Sequence, residues 1–386
     1  MTHSNPRAPG DRCRVASAPK QLVGREAVMR VCSELGLVGP DMTGVPQPPV
    51  EVLVGAATLR RHMSGIITRS TEAKLPEGSL IPIELPSQGP LRVFVASPEL
   101  VFMQLAGLLT TLDAIAVGYA LCSSYLLDPA GKGGVRERKG EDSPLASCAS
   151  IADYLARAKG AKGSAKAARA LRFVLEGSRS PMESGLAMAF GLPARYGGFA
   201  LGELALNEEM NIYDGLDMWG NPRYKPRMPD IRVEVRAKGG SVRTVLFDYD
   251  ADSTHGGRKE ARRDATRRNE FQTLGEAPHF SMTSDQANDY RALAKTADQM
   301  RRALGRRRAR SGALCSPNGP AGTAGMAATS GPDGQAAVAG TSAASDPTKT
   351  ACELERRRVA LWRRFVSAAK LTVGTPAWAN DVLGHP

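Results

Sequence analysis

The stretch TVLFDYDADSTHGGRKEARRDATRRNEFQTLG, residues 244–275, sets an apolar run, a group of acids, a histidine and a basic segment in immediate succession. Val245, Leu246 and Phe247 are β-forming residues, and Asp248 and Asp250 follow two apart, so strand alternation turns both carboxylates to one face. Two carboxylates on one face repel, and a hard divalent cation such as Mg²⁺, which takes oxygen ligands, relieves that repulsion. A polar turn leads to His255, the Gly256-Gly257 break and a helix predicted over 258–274. On that helix Asp264, Arg267, Arg268 and Phe271 share a face. Taken residue by residue, the same stretch also reads as a strand, a loop and a solvated basic helix.

Working upstream, PDIRVEV at 229–235 alternates as a strand, Lys238-Gly239-Gly240-Ser241 closes a turn, and 242–250 returns. The predicted hairpin sets Asp230, at the start of one strand, beside Asp248 and Asp250 at the end of its antiparallel partner. Further upstream, Ser180-Pro181-Met182-Glu183 is a helix start, with Ser180 as N-cap, Pro181 at the first position and Glu183 placed for a capping box.

The order D-x-D at a strand end, then histidine, then D-x-x-R on a helix resembles the very-short-patch-repair-like branch of the PD-(D/E)xK nucleases. The matching positions here are Asp248, Asp250, His255, Asp264, Arg267 and Gly275; Asp248 stands for the usual glutamate and Ala251 for a glycine. The resemblance implies a restriction-endonuclease-like unit, a mixed sheet flanked by helices, over 178–310. It implies Mg²⁺ held by Asp230, Asp248, Asp250 and Glu183, and proton transfer or phosphate contact by His255. Asp264 would orient its neighbours, and Arg258, Lys259, Arg262, Arg263, Arg267 and Arg268 would bind nucleic acid, with DNA the expected substrate. The same resemblance also accommodates a unit that has lost catalysis and serves as a scaffold.

Charge agrees with a polyanionic partner. The 386-residue chain carries a net charge of +12, and residues 255–310 hold fourteen Lys or Arg against seven Asp or Glu. The six cysteines show no C-x-x-C pair and no zinc-finger spacing, and the polar N-terminus lacks the apolar segment of a signal peptide. The apolar run at 93–127 is broken by Pro98, Glu99, Gln104 and Asp113, so buried helices are expected in place of a membrane span. These features predict a cytoplasmic protein.

The remainder divides by composition. Residues 1–49 are predicted to be a disordered arm with a short helix over 21–37, followed by an α+β unit over 50–127. That unit has strands at 50–54, 66–68, 79–85 and 92–96, a helix opened by Ser97-Pro98-Glu99 and a second helix over 112–126. It resembles the post-wing domain of AbiEi-type antitoxins of type IV toxin-antitoxin systems, on its opening V-x-V-L-V strand, Arg60-Arg61 and VFVASPELVFMQLA. By that resemblance the alternative function is a non-catalytic, DNA-binding transcriptional regulator. Residues 128–177 read as a charged loop, whose GKGG is not a phosphate-binding loop, and two helices. Strand 207–213 and the proline-rich 221–229 follow, then a closing strand at 280–282 and an amphipathic helix over 285–304. Residues 311–350 are low-complexity Gly, Ala, Ser, Pro and Thr, a flexible linker. The basic amphipathic helix and tail at 351–386 are predicted to be separable from the fold, with the apolar face that carries Trp362 and Phe365 buried in a core of its own or on a protein partner.

Overall fold

The structure, a computed structural model, describes residues 25–34, 50–71, 74–83, 85, 93–127, 135–138, 144–237, 239–250, 277–307 and 347–367. The fold is α/β with a mixed sheet. Helix α1 (Arg25–Glu34) lies within the predicted 21–37 and buries Val28 and Cys32 against Ile66. Ile66 belongs to β2 (Ile66–Ser70), which pairs in parallel with β1 (Val50–Val54). An antiparallel pair follows, β3 (Leu80–Ile83) with β4 (Val93–Ala96).

Helix α2 (Pro98–Leu108) starts where its local chemistry says it should: the Ser97 hydroxyl accepts the Leu100 N–H, Pro98 occupies the first turn, and Glu99 follows. Helix α3 (Thr111–Leu121) is capped by Thr110 but ends before the predicted 126. The reason is tertiary. Ser123 turns its hydroxyl back to the Ala120 carbonyl, and residues 177–178 take up the chain through Gly177 N–H to Cys122 O and Ser124 N–H to Ser178 O. Tyr125 thereby enters β5 (Tyr125–Leu127), paired with β6 (Val135–Glu137). Helices α4 (Cys148–Arg157), with a Ser147 capping box, and α5 (Ser164–Leu171) complete this part.

Helix α6 (Pro181–Gly191) begins at the predicted Ser180 cap and is buried along nearly its whole length from Pro181 to Phe190, as expected of a helix that is apolar all round. On one side it meets the main sheet, where the Phe190 and Phe247 rings make an edge-to-face contact at 5.0 Å. That sheet has the order β12-β11-β10-β7. It consists of β7 (Glu203–Leu206), β10 (Ile231–Arg236), β11 (Val242–Asp250) and β12 (His279–Thr283). Neighbours are antiparallel except β11 and β12, which run parallel. Between β7 and β10 the chain makes a separate antiparallel ribbon of β8 (Met210–Leu216) and β9 (Pro222–Arg227). The expectation of a strand at 207–213 followed by a proline-rich connection is corrected here. Pro222 and Pro226 are admitted to a strand because in a two-stranded ribbon every strand has a free edge.

After β12 come α7 (Ser284–Ala287) and α8 (Tyr290–Ala303), whose Leu293, Ala297 and Met300 are buried in the main core. Helix α9 (Pro347–Leu361) and the π-helical turn Trp362–Val366 overturn the expectation of a separable tail. Leu361, Phe365 and Val366 are buried in the main core, and the Trp362 indole donates to the Ala287 carbonyl at 2.8 Å. Tyr290 donates to Glu355 at 2.6 Å, and Arg364 reaches Asp113 of α3 at 2.7 Å. The apolar face that was expected to seek a core of its own or a partner is covered by the rest of the chain. A long tether is no obstacle, since closure entropy grows only with the logarithm of loop length.

The contact between α6 and this segment is so close that Gly185 has no room for a side chain: an added Cβ would overlap the Phe365 carbonyl oxygen. Glycine to alanine inside a helix ordinarily stabilises by about 1 kcal/mol. Here the sign reverses, and Gly185→Ala is expected to cost about 1–3 kcal/mol in chemical denaturation, the range for overpacking a filled core. A stabilised variant would show that the C-terminal segment is not seated on α6.

Candidate functional site

The site grows from the alternation of β11. Val245 and Phe247 enter the main core, while Leu246 packs on the opposite face with Met210 and Ala277. Asp248 and Asp250 therefore share the Leu246 face. The antiparallel register pairs Ile231 with Phe247 and Arg232 with Leu246, so Asp230 comes beside Asp248 at the end of the pairing.

Each of the two carboxylates accepts a backbone N–H from the opposite strand. The Asp230 N–H donates to Asp248 Oδ1 at 3.1 Å, and the Tyr249 N–H donates to Asp230 Oδ2 at 2.7 Å. Side-chain carboxylates thus continue the ladder past the last backbone pair. Asp248 Oδ2 lies 3.1 Å from His279 Nε2, with the histidine side chain only 3% exposed and that of Asp248 13%. His279 is on β12, opposite Leu246 in the parallel register. β12 begins one residue before the expected 280–282, and that residue is His279. A histidine immediately before a strand was the available signal, but its partner stands 31 positions away across a parallel pairing.

Asp250 is half-buried at the strand end and pairs in register with Thr283, the cap of α7. Asp230 and Asp248 stand side by side across the strand pair, with Asp250 two residues further along the same face. Among the described residues, however, no group of three or more His, Cys, Asp or Glu is drawn together closely enough to hold a metal ion.

Glu183 occupies its capping position. Its Oε1 accepts the Ser180 hydroxyl at 3.0 Å, and its Oε2 accepts the Arg179 N–H at 2.9 Å and the Asn207 side-chain amide at 2.7 Å. Asn207 in turn donates its backbone N–H to the Asp230 carbonyl at 3.2 Å. A second unforeseen residue therefore links Glu183 to the strand that carries Asp230. Its φ of 49° lies in the left-handed region, which asparagine tolerates better than most residues.

On the same face of the sheet as the acids, Arg232 is engaged by Glu234 at 2.6 Å and by Glu208 at 2.5 Å. Arg306 donates to the carbonyls of Ala200 and Leu201. The other expected contributors, His255, Arg258, Lys259, Arg262, Arg263, Asp264, Arg267 and Arg268, lie outside the described residues.

Comparison of the chain with protein-family models, with curated proteins and with solved structures yields no significant match.

Proposed function

We propose that the protein binds nucleic acid through a nuclease-type site and hydrolyses DNA phosphodiester bonds with the help of Mg²⁺. The observation that carries this reading is the interlocked pair Asp230 and Asp248 at one end of a mixed sheet, with Asp250 on the same face. An acid at the start of one strand beside acids at the end of its antiparallel neighbour, with a parallel strand beyond, supports the restriction-endonuclease-like reading of residues 178–310.

The carboxylate oxygens are hard donors suited to Mg²⁺, and Asp230, Asp248 and Asp250 are the residues that would have to draw closer together than they stand here to hold it. When bound, the ion supplies charge neutralisation at the scissile phosphate and an oriented water. His279 holds the Asp248 carboxylate in one orientation. Asn207 ties the Asp230 strand to the capped start of α6, so Glu183 acts through position and not through the ion. By the same reading His255 would assist proton transfer or contact the scissile phosphate, Arg267 or Arg268 would meet phosphate, and Asp264 would orient His255 or the arginine. The chain is proposed to work in the cytoplasm, and no described helix is long and apolar enough to cross a membrane.

A second reading, a non-catalytic antitoxin-like DNA-binding regulator, is favoured by one observation. Glu183 already accepts three hydrogen bonds, and both oxygens of Asp248 have partners, as in a scaffold built for rigidity. Titration calorimetry with Mg²⁺ and Mn²⁺, beside a cleavage assay on duplex and single-stranded DNA, separates the two. The nuclease reading expects binding at millimolar metal and metal-dependent cleavage. Absence of both removes it and leaves the regulator. Either reading expects salt-sensitive DNA binding, with log K falling by about 0.9 per phosphate contact for each unit of log salt on duplex. An affinity indifferent to salt overturns both.

A further inference from the structure

The ribbon of β8 and β9 displays what proteins usually bury. Met218 is 85% exposed and Trp219 77%, and behind them Tyr213 and Tyr224 stand opposite each other in register, more than half exposed, with ring centroids 6.2 Å apart. Single exposed apolar residues need no explanation, but an aromatic cluster along a two-stranded ribbon does.

The tip is built and not merely loose. Asp217 Oδ1 accepts the N–H groups of Trp219 and Asn221, both at 2.8 Å, and its Oδ2 accepts the Asn221 amide at 3.1 Å. Asp217 also exchanges backbone bonds with Asn221 and Gly220, and Gly220 takes the left-handed φ of 84° that closes the turn. Five hydrogen bonds therefore fix a turn whose two largest side chains touch solvent.

The surroundings indicate the chemistry of the occupant. β9 alternates Tyr224 with Arg223 and Lys225, so the ring lies on one face of the narrow ribbon and the two cations on the other. The exposed pair between Arg223 and Asp214, 3.3 Å apart, is worth too little to withhold that guanidinium from a phosphate. The ribbon is also rooted at the candidate site: Met210 at its base packs on Leu246, and only Met228 and Pro229 separate β9 from Asp230. An exposed ring at the tip of a ribbon that carries rings on one face and cations on the other, leading to an acidic pair, fits a single strand of nucleic acid that crosses the tip, whose bases stack on rings while its phosphates meet cations.

We propose that the ribbon is a base-stacking element. Trp219, held out by the Asp217 turn, stacks on an unpaired base of a single nucleic-acid strand, while Arg223 and Lys225 meet its phosphates and direct the strand toward Asp230 and Asp248. This inference rests on the nucleic-acid reading above and deepens it by naming the strand's unpaired bases as the ligand.

The test is fluorescence anisotropy of a labelled oligothymidylate titrated with the full chain. Trp219→Ala is expected to weaken binding about 5- to 100-fold, the effect of losing one base stack. Trp219→Phe should recover most of the affinity. The salt slope should be unchanged in Trp219→Ala, because no phosphate contact is lost, and its melting temperature should match wild type. Wild-type binding with an unaltered Trp219→Ala affinity overturns the stacking role and leaves the nucleic-acid reading in place. No binding by wild type to oligothymidylate or to duplex overturns both, and the ribbon then becomes a protein-docking surface.

Discussion

Phe365→Ala should lower the unfolding free energy by about 3–5 kcal/mol, and a chain ended after Arg310 should lose more than that or fail to fold. Phe365 is 2% exposed and Val366 fully buried, and both belong to the same continuous core as Phe190, Phe247 and Leu293. Removing the segment also strips the Trp362 indole from Ala287, Glu355 from Tyr290 and Arg364 from Asp113. The last loss matters beyond its own bond. Asp113 is 4% exposed at the start of α3, and without Arg364 its Oδ1 loses that ion pair while its Oδ2 keeps the Thr110 hydroxyl at 2.6 Å. Thermal and urea unfolding of the full chain, the truncation and Phe365→Ala provide the measurement. A truncation that melts with the wild type would show that the C-terminal segment contributes nothing to the fold. Adding residues 347–367 back as a separate peptide should partly restore the truncated chain's melting point, a result that distinguishes docking from loss by misfolding.

What could be read from the residues was local. The starts of α2 and α6 were legible because an N-cap serine, a proline and a glutamate act within one turn, and the structure uses each as expected. The hairpin of β10 and β11 was legible because period-two alternation meets a Gly-Gly turn, closed here by Ala237 N–H to Ser241 O. Strand β7 was not. Its four residues, ELAL, bear no turn signal and become a strand only because β10 offers them an edge. The ribbon was hidden by its prolines, and the docking of α9 by a low-complexity linker that carries no information on where its far end packs.

The candidate site divides along the same line. Asp230, Asp248 and Asp250 could be placed on one face because strand alternation and a hairpin turn determine that face. Asn207 and His279 could not be found, since each acts through a partner set by register between distant strands, and register is a tertiary property. Glu183 was legible in both its roles, and its carboxylate turned toward the cap.

Asp248 offers the sharpest separation of fold from chemistry. Its carboxylate accepts the Asp230 N–H on one oxygen and faces His279 on the other, in a position almost closed to water. Asp248→Asn keeps an acceptor for the Asp230 N–H, and its amide N–H bonds His279 Nε2 once the ring carries its proton on Nδ1, so its unfolding free energy should stay within about 1 kcal/mol of wild type. Asp248→Ala takes that partner from both groups at about 1–3 kcal/mol each, for a loss of about 2–6 kcal/mol. Metal binding follows a different rule, because Asn removes the negative charge that a hard cation requires. Mg²⁺ should raise the melting temperature of wild type by mass action and leave that of Asp248→Asn unmoved, with cleavage lost in both variants. Asp250→Asn should likewise remove the metal response, with stability equal to or above wild type because one of the repelling acids is neutralised. An Asp248→Ala protein as stable as wild type would refute the interlocked geometry. An Asp248→Asn protein that still gains the full Mg²⁺ shift would show that the ion, if it binds, is held by other residues.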